Sequence, residues 1–110
     1  MKKRPLYSVD VYIEAVRIAE QLGHNYIGTA HFVYAFLRLT DQKSFANFAY
    51  KYLTEQIGVY KPRRLQGLYY TKVLMEHYEK SVNSEYVIMS IYRDKECEGG
   101  KILDAIARGA

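Results

Sequence analysis

Tryptophan is absent from this chain of 110 residues, cysteine occurs once and proline twice. A lone cysteine, Cys97, cannot close an internal disulfide, so a disulfide scaffold is excluded and a reducing, cytoplasmic setting is expected. No apolar run approaches the roughly 20 residues that span a bilayer. The basic start MKKRPLYS is not followed by the apolar stretch of a secretory signal. Low-complexity tracts and linkers are missing as well. A phosphate loop is also lacking, because Walker A needs G-x-x-x-x-G-K-[ST]. The nearest string, Gly99-Gly100-Lys101-Ile102, has neither the first glycine at its spacing nor the metal-binding hydroxyl. An ATPase of that class is excluded.

What is present has the balance of an ordinary globular chain, with 49% hydrophobic and 25% charged residues. Residues 1–110 are expected to form one domain with a core of its own. The net charge is +4, with basic residues grouped at Lys2-Lys3-Arg4 and at Lys61, Arg63 and Arg64. Such groups are either a solvated face or a contact for nucleic acid or an acidic protein surface. Twelve tyrosines are many for this length. Rings with an apolar body and a polar tip suit half-exposed contact surfaces. Tyr7, Tyr12, Tyr50, Tyr52, Tyr60, Tyr69 and Tyr70 are the candidates, since several fall opposite apolar stripes.

Helical periodicity runs through the chain. Val11, Ala15, Ile18 and Leu22 recur at spacings of four, three and four, which puts them on one face of a helix. Ser8 is the expected N-cap and Gly23 the residue just past the end. HNYIGT reads as a turn, and AHFVYAFLRL, apolar nearly all round, as a central buried helix. SFANFAYKYLTEQIG carries Ala46, Ala49, Leu53 and Ile57 on one face. Pro62 then blocks one helix and suits the start of another, expected from about 64 to 80 with Leu68, Thr71, Met75 and Tyr78 aligned. EYVIMSIYR again reads as apolar nearly all round, KECEGG as a loop and KILDAIARGA as a last short helix. The expected fold is all-α, with about six to seven helices and no strand.

One device occurs twice. IGTAHFVYAFLR at 27–38 can be laid over VNSEYVIMSIYR at 82–93. Each copy has a β-branched residue, Gly28 or Asn83, a hydroxyl residue (Thr29 or Ser84), an apolar run and a final arginine. Gly and Asn are the types that tolerate positive φ, and Thr and Ser are types that cap helices. Two copies of one helical unit predict a pseudo-twofold bundle, with repeat one at about 8–58 and repeat two at about 60–110.

Catalytic chemistry has few candidates. Cys97 with His24, His31 or His77 would make a Cys–His hydrolase, but nothing around Cys97 resembles an activated thiol. A structural cysteine is the favoured reading, and the chain is not expected to be an enzyme. His24 and His31 are seven apart with no Cys or carboxylate at ligand spacing, so neither a metal nor any other cofactor is expected.

The stretch LGHNYIGTAHF resembles the L-G-H-x-x-I-G-T-E-H-hydrophobic signature of the Clp N-terminal domain, or Clp repeat, which fronts the ClpA, ClpB and ClpC class of unfoldases. The matching positions are Leu22, Gly23, His24, Ile27, Gly28, Thr29, His31 and Phe32. YKPRR at 60–64, Ser84-Glu85 and EGGKILDAI at 98–106 are similar to features of the family's second repeat. The departures matter as much. Against the family pattern, the helix and loop that usually separate the repeats are not expected between Gly58 and Pro62, and the usual final helix is not expected after Gly109. Ala30 stands where the family has Glu, and Asn83 and Tyr86 replace a Gly and a His. The resemblance therefore implies a shortened, diverged member.

It further implies a non-enzymatic interaction module of bacterial protein quality control, binding substrate segments, adaptors or a Clp unfoldase. Gly23, His24, Gly28 and His31 would pack the turn. In the ClpC branch, the Thr-Glu at the two helix starts recognises phosphoarginine. Carried over, Thr29 remains without its carboxylate, while Ser84 and Glu85 keep both groups, so the second site would be the one to survive. The alternative is a small basic helical domain that binds nucleic acid. The sequence leaves the oligomeric state open.

Overall fold

The computed structural model describes residues 6–24, 27–57 and 83–109, which are helical apart from their connections. The described residues form five α-helices: α1 (Ser8–Leu22), α2 (Thr29–Leu39), α3 (Lys43–Lys51), α4 (Ser84–Arg93) and α5 (Glu98–Ala107). A π-helical turn, Tyr52–Ile57, continues α3. The only extended pairing among the described residues is a single antiparallel bridge between Tyr7 and Asn83. The helix expected at about 64 to 80, both basic clusters, His77, Tyr60, Tyr69 and Tyr70 lie outside the described residues.

The periodic positions do what their spacing requires. Val11, Ala15 and Ile18 of α1 are buried, as are Ala46 and Ala49 of α3 and Leu53 of the π turn. Alpha-2 is the centre of the bundle, packing against α1, α3, α4 and α5. Phe32, Val33, Ala35 and Leu37 carry it into the core, where Val87, Ile91 and Ile102 arrive from α4 and α5. Each fully buried side chain of Phe32's or Leu53's kind contributes about 1.5–3 kcal/mol relative to exposure.

The repeat extends beyond the stretch that first shows it. Alpha-2 begins at Thr29 and α4 at Ser84, and the next helix begins fourteen residues later in each case, at Lys43 and at Glu98. The connecting residues, 40–42 and 94–97, are correspondingly short. Both halves thus use the same helix pair with a tight connection.

Several local expectations need correction. Ser8, Thr29 and Ser84 are the first residues of their helices, and the caps are Tyr7, Gly28 and Asn83. Gly28 (φ −115°) and Asn83 (φ −57°) are not left-handed. Among the described residues the left-handed positions are Gly23 (φ 73°), which ends α1 as expected, Asp41 (φ 60°) and Gly109 (φ 89°). Alpha-5 starts three residues before KILDAIARGA, taking Gly99 and Gly100 into its first turn. Finally, α4 is one-sided. Ser84, Val87 and Ile91 face inward, while Tyr86, Met89 and Tyr92 are exposed.

Candidate functional site

The turn from α1 to α2 is built around two imidazoles. His31, in the first turn of α2, accepts the Gly28 N–H on Nδ1 at 3.0 Å. Its Nε2 lies 2.7 Å from Nδ1 of His24, the rings meeting edge to face. A backbone N–H can only donate, so Nδ1 of His31 carries no proton in the neutral ring. The proton then sits on Nε2 and is donated to His24 Nδ1, which places the His24 proton on Nε2. Burial, and then the neighbouring His24, push the pKa of His31 from 6.5 to about 3. Burial also lowers that of His24. This explains why Gly23, His24, Gly28 and His31 occur together. The left-handed glycine ends α1, and the histidine pair ties the chain beyond it to the start of α2.

Thr29 does not reach the surface. It is buried, and its hydroxyl accepts the Gly99 N–H at 2.9 Å, joining the start of α2 to the start of α5 across 70 residues. The fit there is close. A Cβ on Gly99 would lie 2.8 Å from the Thr29 carbonyl oxygen, and one on Gly100 would lie 2.0 Å from the Asp94 carbonyl oxygen.

Cys97 belongs to the same junction. Its Sγ accepts from Gly100 N–H at 3.2 Å and donates to the Asp94 carbonyl at 3.0 Å, so the thiol caps α5. Burial raises its pKa, partly offset by hydrogen bonds from Thr29 and Gly100. A buried, protonated thiol in this position is a cap, and its chemistry is the opposite of an activated nucleophile. Cys97 has the structural place expected of it, whereas Gly99 and Gly100, expected in a loop, are packing elements of the first turn of α5. The available signal was the repeat itself, since carrying its offset on to the next helix places a helix start beside Gly99.

Ser84 is buried too, and it binds the chain ahead of α1. Its hydroxyl and its N–H both donate to the Leu6 carbonyl, at 2.6 and 2.9 Å. The Glu85 N–H donates to the Asn83 side chain at 2.9 Å and the Tyr86 N–H to the Asn83 carbonyl at 3.1 Å. The first three amides of α4 are therefore engaged within the chain, and a phosphoryl group would have to displace Asn83 to reach one. Glu85 itself is exposed, and its carboxylate pairs with no other described side chain. Among Thr29, Ser84 and Glu85, only Glu85 presents its functional group to solvent.

Glu85 lies on an open apolar face with Tyr86 (67% exposed), Met89 (52%) and Tyr92 (38%), ending at Arg93. Of the tyrosines expected at a contact surface, Tyr7 and Tyr50 are exposed. Tyr12 and Tyr52 are half-buried against the core, and the Tyr52 hydroxyl donates to Glu98. A shallow groove of about 340 Å³ lies between α2 and α3, where Arg38 stacks 5.7 Å over the Tyr34 ring. Among the described residues no three His, Cys, Asp or Glu side chains converge as metal ligands. No helix of those residues is long and apolar enough to cross a membrane. Compared with known proteins, the sequence matches no protein-family model and no curated protein, and the fold matches no solved structure.

Proposed function

We propose that this protein is a non-enzymatic interaction module of the Clp-repeat type that docks polypeptide segments on the outer face of α4. The observation that carries the reading is that face. Three large apolar side chains, Tyr86, Met89 and Tyr92, stand exposed on a helix whose other side is fixed in the core, with the Glu85 carboxylate at one end. Tyrosine and methionine are the residue types that anchor protein contacts. A carboxylate beside them takes a guanidinium in a charge-assisted pair. The partner is accordingly a segment bearing arginine next to apolar residues, from a substrate, an adaptor or a Clp unfoldase in bacterial protein quality control. The resemblance of LGHNYIGTAHF to the Clp signature supports the reading, and so does the helix pair that occurs twice in the chain.

Arginine that carries a phosphoryl group remains a candidate ligand. Its guanidinium end would meet Glu85, while its phosphoryl end needs the Asn83 side chain to swing away. The test is affinity capture from nuclease-treated bacterial lysate with wild type and Glu85→Ala, the retained proteins being identified by mass spectrometry. Clp unfoldase subunits, their adaptors or arginine-phosphorylated proteins are expected with wild type, reduced about tenfold by the substitution. Capture unchanged by Glu85→Ala, or made up of salt-labile nucleic-acid-associated proteins, overturns the reading.

A further inference from the structure

The exposed face of α4 has an internal symmetry. At about 100° per residue, Met89 points directly away from the core side marked by Ser84, Val87 and Ile91. Around Met89, Glu85 and Arg93 lie about 40° to either side, four residues before and after it. Tyr86 and Tyr92 lie about 60° to either side, three residues before and after. All five are exposed. Neither Glu85 nor Arg93 forms an ion pair with another described residue, so among those residues the apolar strip is closed by one unpaired acidic charge at one end and one unpaired basic charge at the other.

We propose that α4 pairs with α4 of a second copy of this chain, antiparallel, about a twofold axis that passes Met89. Reversing the strip end for end brings Glu85 of one copy level with Arg93 of the other, and Arg93 level with Glu85. Tyr86 comes level with Tyr92, and Met89 faces its own equivalent. A twofold interface requires this kind of self-complementarity, in which residue i meets j and j meets i. The choice of a second copy rests on the charges. A strip with acid at one end and base at the other is matched by its own reverse, and an unrelated helix has no reason to be. The inference depends on the proposed reading of α4 as a docking face and names one occupant of it. Because Glu85 belongs to both uses, self-pairing and segment binding exclude each other.

A pair of ten-residue helices covers less than the roughly 800 Å² per partner of a standard interface. The dimer is therefore dissociable and best detected by trapping. Only a residue on the axis meets its own copy, and helices packed at about 8–10 Å bring facing Cα atoms within disulfide range. In the full chain, Met89→Cys is expected to form an intermolecular disulfide under mild oxidation at least about tenfold faster than Ser44→Cys, which is exposed on α3. Adding Glu85→Arg, or separately Arg93→Glu, to Met89→Cys places like charges opposite each other twice and is expected to slow trapping about tenfold.

Mixing the two double variants sets each altered charge against its opposite and restores the rate. Circular dichroism checks that all variants remain helical. A Met89→Cys rate no higher than that of Ser44→Cys, or a mixture no faster than its components, overturns the dimer. Capture that persists while trapping fails removes the second copy and leaves the docking face. Loss of capture with trapping intact does the reverse.

Discussion

With Nδ1 accepting from Gly28 and Nε2 bonded to His24, the ring of His31 has no place for a second proton. Protonating it would set two donors against each other at Nδ1, inside the core. The unfolded chain takes up that proton near pH 6.5, and the folded chain holds it off down to about pH 3. Between those values the unfolded state binds more protons, so stability is complete above about pH 6.5 and falls as pH drops. The loss reaches about 2 kcal/mol by pH 5. Urea unfolding at neutral pH and at pH 5 measures it. His31→Asn, which keeps an acceptor for Gly28 but cannot titrate, should show a shallower pH dependence, and an equal slope in both proteins would contradict the assignment. The residue types of this turn are legible in the sequence, because two glycines and two histidines at these spacings form a recognisable pattern. The hydrogen-bond chain is not, since it depends on which nitrogen meets which neighbour.

At the scale of elements, the helix ends divide into open and crowded ones. Gly23 ends α1 with φ 73° and nothing near its missing Cβ, whereas Gly100 sits in the first turn of α5 against the Asp94 carbonyl. Gly23→Ala is therefore expected to cost only the left-handed backbone penalty, about 1 kcal/mol. Gly100→Ala must push α5 away from two backbone carbonyls, Asp94 and Ile91, at a cost of about 3 kcal/mol or more. Chemical denaturation of the two variants decides, and equal losses would mean that the α4–α5 junction is not close-packed. The contrast shows what a sequence pattern carries. Gly23 follows an amphipathic run and announces itself as a stop. KECEGG reads as a loop because cysteine lacks the usual capping hydroxyl, and two glycines signal flexibility until the neighbouring helix shows they allow contact. Alpha-4 illustrates the same limit, since Tyr86, Met89 and Tyr92 look like core residues by type. Among the described residues, α1, α2 and α5 pack on the opposite side of α4 and leave these three outside.

For the whole molecule, the all-α architecture follows from periodicity, because each apolar stripe needs only helical spacing to be recognised. The long-range ties are a different matter. Ser84 reaches Leu6 across 78 residues and Thr29 reaches Gly99 across 70, and no local pattern encodes either partner. These ties bury the two hydroxyls that the sequence offered as ligand groups, and they leave Glu85 at the head of an exposed apolar helix face. On the proposed reading this face binds polypeptide, and a backbone amide NMR titration of the labelled protein with a peptide carrying arginine beside apolar residues tests it. Shifts concentrated in Ser84–Arg93 and abolished by Glu85→Ala are the predicted result. Shifts confined to the Tyr34–Asn47 groove, or none at saturating peptide, would contradict it.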